Sequence, residues 1–128
     1  MSDKLAPFRD HEAITHTMLE YLFYDESIDD IGETPNDVGY TLADITSVTE
    51  ALDAYIDALG EADENEGKIR TAIEVAVLAL NDVNESCGYA LIETIERENI
   101  VEFMTDAAVA AGLAIEDGED ITEDFREW

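Results

Sequence analysis

Hydrophobic residues recur at helical spacing in four stretches of the chain, residues 8–24, 42–59, 68–86 and 94–111. Side chains three or four positions apart share one face of an α-helix, so each stretch predicts an amphipathic helix. We therefore predict an all-α fold, an antiparallel bundle of about four helices, with residues 1–128 forming a single acidic helical domain.

The second stretch has the clearest pattern. Thr41 and Asp44 have the spacing of a capping box that would begin the helix, and Gly60 is expected to end it. The apolar stripe of this helix comprises Leu42, Ile45, Val48, Leu52, Tyr55, Ile56 and Leu59.

The third and fourth stretches differ in their polar faces. The third is apolar on nearly all sides, because Val75 and Leu78 lie outside its main stripe, and this predicts a central position. In the fourth, Thr94 is expected to cap the helix and Gly112 to stop it. Its predicted buried set is Ile95, Ile100, Phe103, Met104, Ala107 and Ala108.

Two segments fall outside the helical pattern. Residues 25–40 carry six acids, a proline and two glycines, and predict a long acidic loop, which is uncommon unless it is functional or disordered. We expect Ile28, Ile31, Val38 and Tyr40 to pin this loop to the body of the protein. Residues 113–128 form an acidic C-terminal tail whose spacing of Ile121, Phe125 and Trp128 predicts a short docked helix.

Charge narrows the classes of partner. The chain has 33 acidic and 6 basic side chains, a net charge of −27 and a pI near 4.1. Such a surface repels DNA, RNA and anionic membranes, whose binding requires Lys and Arg, and it attracts basic proteins or cations. The acids are distributed evenly, with 10 in residues 1–40, 11 in 41–88 and 12 in 89–128, so we expect the folded body itself to be acidic.

Salt adaptation is an alternative origin of the charge. Halophile proteins are acidic and poor in lysine, and this chain has only Lys4 and Lys68. Isoleucine outnumbers valine by 12 to 7, which is unlike the GC-rich coding of many extreme halophiles. If the alternative holds, the charge indicates nothing about partners.

The chain offers no pattern that indicates catalysis. His11 and His16 are five residues apart, whereas a helical metal pair needs a spacing of three or four, and the acidic segments do not match an EF-hand. Cys87 is expected to be a buried small hydrophobe. With no phosphate-binding loop and no nucleophile motif, we predict a protein that is not an enzyme and has no metal site and no cofactor.

Cellular location follows from similar features. The N-terminal residues lack the apolar run of a signal peptide, and no stretch is long enough for a membrane helix. A single cysteine suits a reducing compartment. We expect a cytoplasmic protein that is a monomer or a dimer.

The segment 80–113 is the most distinctive. Asn81 and Asn84 are polar residues near the end of an apolar helix, and Arg97 lies four residues after Glu93, close enough for an ion pair. These four residues predict a structural polar cluster at the turn between the third and fourth helices.

The same segment carries a resemblance. Its L-N-x-x-N-x-x-C stretch, followed by L-I-E-T, R-E, A-A and G-L, resembles a family of small, helical, poorly characterised bacterial proteins. The resemblance covers about a quarter of the chain. It implies a bacterial accessory protein of the kind that serves as an immunity protein beside a toxin.

Three functions compete. The first is a non-catalytic protein that neutralises a basic partner, such as the immunity protein of a bacterial nuclease toxin; the second is a DNA mimic that blocks a DNA-binding protein. The third is an acidic helical module for dimerisation or assembly. The predicted partner-binding residues are Asp25, Glu26, Asp29, Asp30, Glu33, Asp37, Tyr24 and Tyr40, and further aromatic candidates are Tyr21, Phe23, Phe125 and Trp128.

Overall fold

Helices dominate the computed structural model, which describes residues 4–128. Within that range the α-helices are α1 (Glu12–Phe23), α2 (Leu42–Glu61), α3 (Glu66–Ser86) and α4 (Thr94–Ala110), which confirms a mainly helical fold with four helices.

The first helix is shorter than predicted. A 3-10 turn (Ala6–Arg9) precedes α1, and Asp10 between them has an extended backbone that interrupts the helical path. The Asp10 carboxylate then accepts a hydrogen bond from the Glu12 amide at 2.9 Å, which satisfies one free donor at the start of α1.

A continuous core joins all four helices. The helices α2 and α3 pack most extensively on each other, and α1 lies against both α4 and α2. Met18, Leu52, Ile73 and Ile100 are among the buried side chains that each helix contributes. The buried Tyr55 hydroxyl donates to the Met104 carbonyl at 2.7 Å and so ties α2 to α4. None of the helices in residues 4–128 is long and apolar enough to cross a bilayer.

The start of α2 agrees with the sequence, and its end does not. The capping box of Thr41 and Asp44 is formed. The helix continues through Gly60, which was expected to end it, as far as Glu61. A glycine inside a helix costs only about 1 kcal/mol, and Ala62, the residue that follows the last helical residue, is completely buried in the core.

The third helix has one buried face and one exposed face, so the predicted central position is wrong. Val75 and Leu78 are exposed on α3. Leu42, assigned to the buried stripe of α2, is also exposed because it occupies the first position of that helix.

A short hairpin interrupts the predicted loop at 25–40. Strands β1 (Tyr24–Asp25) and β2 (Asp30–Ile31) pair in antiparallel register, and Asp29 adopts a positive φ of 49° in the connecting turn. Asp and Asn tolerate this conformation better than most residues, which is why the chain can reverse here.

Only half of the predicted loop anchors reach the core. Val38 packs against the core and Tyr40 is buried. Ile28, in the hairpin turn, and Ile31, in strand β2, are exposed. Their predicted role as anchors is wrong.

The C-terminal tail is docked, but as turns and not as the predicted helix. Ile121 is buried, and Phe125 and Trp128 are partly buried against the core. Asn81 on α3 holds this segment: its amide nitrogen donates to the Phe125 carbonyl at 2.8 Å, and its oxygen accepts from the Glu127 amide at 3.0 Å. Paired hydrogen bonds of this kind fix the tail without helical structure.

Candidate protein-binding cleft

A cleft of about 580 Å³ opens between α1 and the segment that leads into α4. We call it the tyrosine cleft. Three tyrosines line it, Tyr21 and Tyr24 from the end of α1 and Tyr40 from the loop that precedes α2. The opposite side is formed by Ala90 and Leu91 and by the first residues of α4.

The wall formed by Tyr40 is rigid. The Tyr40 hydroxyl donates to the Met18 carbonyl at 2.9 Å, and burial, with smaller effects from nearby Glu96 and Glu93, raises the pKa of this hydroxyl to about 12. The neighbouring Gly39 has a φ of +93°, and a Cβ at that position would lie 2.8 Å from the Ala90 Cβ. Glycine is therefore required for the loop to approach the opposite wall so closely.

The opposite wall is anchored by a buried asparagine. The Asn84 side-chain oxygen accepts hydrogen bonds from the amides of Leu91 at 3.2 Å and Ile92 at 2.9 Å. The chain turns back through positive φ angles at Gly88 and Tyr89. Residues 89–93 form a turn that is held by the Asn84 side chain and by backbone hydrogen bonds from Tyr89 to Asn84 and from Ala90 to Cys87.

Two glutamates stand at the start of α4. Glu93, and not the predicted Thr94, is the N-cap, and it forms a capping box with Glu96, whose carboxylate accepts from the Glu93 amide at 3.2 Å. Both carboxylates lie at the positive end of the helix dipole, a favourable place for acidic side chains. Both side chains line the tyrosine cleft.

The cleft combines acidic and exposed apolar groups. Tyr21 is 64% exposed, Tyr24 43% and Ile95 58%. The third carboxylate of the lining belongs to Glu20, which pairs with the exposed His16 at 2.8 Å. No lining residue is Lys or Arg among the residues that the structure describes, and the sequence contains neither between Asp10 and Gly67.

The predicted acidic loop lies beside this cleft. A second concavity of about 420 Å³ is lined by Tyr24, Asp25 and Glu26 together with Thr34 and Asn36, so that Tyr24 belongs to both surfaces. The Tyr24 hydroxyl donates to the Asp29 carboxylate, and this hydrogen bond is the main cause of a raised pKa for the tyrosine.

The remaining loop acids lie outside both concavities. Asp25, which lines the second concavity, has its pKa lowered by hydrogen bonds from the Ser27 hydroxyl and amide. Asp30 accepts from the Ile31 amide at 2.7 Å. Glu33 and Asp37 are exposed. The structure thus brings Tyr24, Tyr40, Asp25 and Glu26 to the two concavities, and leaves Asp29, Asp30, Glu33 and Asp37 around them.

The four residues of the predicted polar cluster have separate roles. Asn84 holds the turn before α4, Asn81 holds the C-terminal tail, and Glu93 caps α4. Arg97 does not pair with Glu93: the bond between them joins the Arg97 amide to the Glu93 carbonyl at 2.8 Å. The Arg97 side chain lines a different concavity, together with Asp120 and Arg126.

Sequence reasoning missed Glu20, Ile95 and Glu96 as cleft residues. Ile95 was assigned to the buried face of α4, yet it lies five positions before Ile100, a spacing that places the two on different faces. An apolar side chain off the buried stripe and next to helix-capping acids is the signal that could have identified this site.

His11 and Cys87 are buried and contribute to local packing. The buried His11 pairs through Nε2 with Asp53 at 2.7 Å and contacts the Phe103 ring edge to face. Cys87 is buried, and burial is the main cause of its raised pKa. In residues 4–128, no three His, Cys, Asp or Glu side chains converge in an arrangement that could hold a metal ion.

Comparison of the chain with models of protein families, with curated proteins and with solved structures found no match in any of the three. The resemblance of residues 80–113 to a bacterial family therefore stays a prediction.

Proposed function

We propose that this protein is a non-catalytic, acidic binding protein that neutralises a basic protein partner in the cytoplasm. The observation that supports the proposal is the tyrosine cleft, in which exposed Tyr21, Tyr24 and Ile95 stand beside three carboxylates and no basic lining residue. Protein interfaces draw most of their affinity from a few aromatic and apolar anchors, and complementary charge sets the rate and specificity of association.

The net charge and the cleft contribute to recognition in different ways: the charge attracts a partner, and the cleft selects it. A net charge of −27 attracts a basic protein over a distance of about a Debye length, roughly 8 Å at physiological salt. Such steering does not distinguish one basic protein from another. The exposed rings and Ile95 supply apolar surface that only a matching partner can cover, which gives the surface its selectivity.

The partner class we favour is a bacterial toxin with a basic active site, such as a nuclease, and the role is that of its immunity or inhibitor protein. A nuclease cleft is built to bind phosphate, so a firmly held acidic surface can occupy it. The Glu93–Glu96 capping box and the Asn84 hydrogen bonds hold the cleft side chains before the partner arrives, which lowers the entropic cost of binding.

A matched pair of variants tests the proposal. The first replaces Glu20, Glu93 and Glu96 with Gln; the second replaces the exposed Glu50, Glu74 and Glu85, which lie outside the cleft, with Gln. Each variant loses three negative charges, so nonspecific attraction weakens equally in both. Glutamine keeps the size of the side chain and can still form a capping box.

Both variants and the unmodified protein are immobilised and exposed at low salt to lysate from the host, and retained proteins are eluted with rising salt. We expect a basic protein that the unmodified chain and the control variant retain and that the cleft variant loses. The enzymatic activity of this basic protein should fall when the unmodified chain is added in stoichiometric amount. Retention of no basic protein, or equal retention by both variants, contradicts the proposal, and recovery of a DNA-binding enzyme favours a DNA mimic.

A further inference from the structure

The chemistry of the tyrosine cleft indicates which side chain of a basic protein would occupy it. We infer that it binds one arginine side chain that the partner presents next to an apolar residue, an inference that rests on the proposed function. The cleft volume of about 580 Å³ lies in the range of specific binding pockets, roughly 300–1,000 Å³, and accommodates an arginine together with a neighbouring side chain.

The aromatic side of the cleft is suited to a planar cation. The rings of Tyr21 and Tyr24 are exposed in the cleft, and a guanidinium stacks on tyrosine faces through cation–π attraction. The hydroxyl of Tyr24 is held by Asp29 and that of Tyr40 by the Met18 carbonyl, so two of the three lining rings are fixed in place.

The acidic side of the cleft supplies acceptors for the same cation. Glu93 and Glu96 belong to one turn at the start of α4 and line the cleft together, and each carboxylate has two oxygens, so the capping hydrogen bonds leave acceptor capacity. Arginine offers five donors in a planar fork and carries a weaker hydration shell than lysine, so carboxylates beside aromatic rings favour arginine.

Ile95 explains the apolar neighbour. It is 58% exposed and lines the cleft, whereas Leu91 in the same lining is already buried. The Ile95 side chain offers no acceptor to a charged head group, so an apolar side chain adjacent to the arginine would cover it. The occupant is thus an Arg–apolar pair on the surface of the partner.

Peptide titration of the isotope-labelled 128-residue chain tests this. The probes are capped Ala-Arg-Leu-Ala, the same peptide with citrulline in place of arginine, and the same peptide with lysine. We expect saturable amide shifts confined to residues 17–24, 40 and 90–96 for the arginine peptide, at least tenfold weaker binding of the citrulline peptide, and weaker binding of the lysine peptide. Tyr21→Ser should weaken the arginine peptide at least tenfold, whereas Val75→Ser, at an equally exposed apolar residue of α3, should not.

Equal affinities for the arginine and citrulline peptides, or an affinity that Tyr21→Ser leaves unchanged, would overturn the inference. A failure of this kind is distinguishable from failure of the proposed function. If the triple glutamine variant loses a basic partner that the unmodified protein retains, while the arginine peptide does not bind, the cleft is a protein interface that recognises a group other than arginine. If the unmodified protein retains no basic partner and the arginine peptide does not bind, both proposals are wrong.

Discussion

Replacing Asn84 with alanine should damage both the fold and the tyrosine cleft. The side chain is 1% exposed, and its oxygen is the acceptor for the amides of Leu91 and Ile92. Both of those residues are themselves buried, so water cannot easily replace the lost acceptor. The variant therefore leaves two buried N–H groups without a partner at the one turn that connects α3 to α4.

The magnitude follows from the cost of unpaired donors. Each unsatisfied buried N–H group costs about 1–3 kcal/mol, so the free energy of unfolding should fall by about 2–6 kcal/mol. A domain of ordinary stability has about 5–15 kcal/mol in total. A loss smaller than the total leaves the Asn84→Ala variant folded in the absence of denaturant, and it should unfold at a clearly lower urea concentration.

A second asparagine provides the matched control. Asn81→Ala makes the same chemical change at a buried position of the same helix, but Asn81 bonds to Phe125 and Glu127 in the C-terminal tail. Urea unfolding followed by circular dichroism should show destabilisation of both variants. Binding in the tyrosine cleft should weaken only for Asn84→Ala, because Asn84 holds the cleft wall at Leu91.

Two results would refute this reasoning. If Asn84→Ala unfolds within about 1 kcal/mol of the unmodified protein, the two amides have found other acceptors and the turn does not depend on the side chain. If both asparagine variants weaken cleft binding equally, the loss reports general destabilisation and the cleft wall is not specifically held by Asn84.

Three further predictions concern ionisation and salt. The stability that the buried Tyr40 hydroxyl contributes is present below the ordinary tyrosine pKa near 10 and should be lost as pH rises toward 12. The Tyr40→Phe variant should therefore unfold less steeply with rising pH, as measured by absorbance of ionised tyrosine. Partial burial raises the pKa of Asp120, but hydrogen bonds from Thr122 and Arg126 outweigh this effect and lower it. The stability that the Asp120 carboxylate contributes is present above about pH 4 and should disappear on acidification below that pH. Acid unfolding curves of Asp120→Asn should lack this loss. Because 33 acids repel one another, thermal unfolding should shift upward between low and molar salt, and a flat response would contradict this electrostatic account.

Helices were predictable because their signals are local. The capping box of Thr41 and Asp44 and the stripe beginning at Ile45 act within a few residues, and the structure forms both. The same locality explains the errors. Nothing in the pattern near Gly60 reveals that Ala62 joins the buried core and so compensates for a glycine inside α2.

The tyrosine cleft was only partly predictable, because it joins segments that are far apart in sequence. Tyr24 and Tyr40 were identified from the acidic loop, but Glu96 and Ile95 reach the same space only after the chain turns at Asn84. The hydrophobic pattern does not show which apolar residues remain exposed once the core has formed. Ile28, Ile31 and Ile95 were all assigned inward and are all exposed.

The two explanations of the charge make different predictions for the tyrosine cleft. Adaptation to salt would account for a surface rich in carboxylates, but it assigns no role to the grouping of Tyr21 and Ile95 with Glu93 and Glu96. Recognition of a basic partner predicts that these residues become covered on binding. The paired glutamine variants lose equal charge and differ only in the position of the change, so they measure recognition at the cleft separately from the effect of net charge.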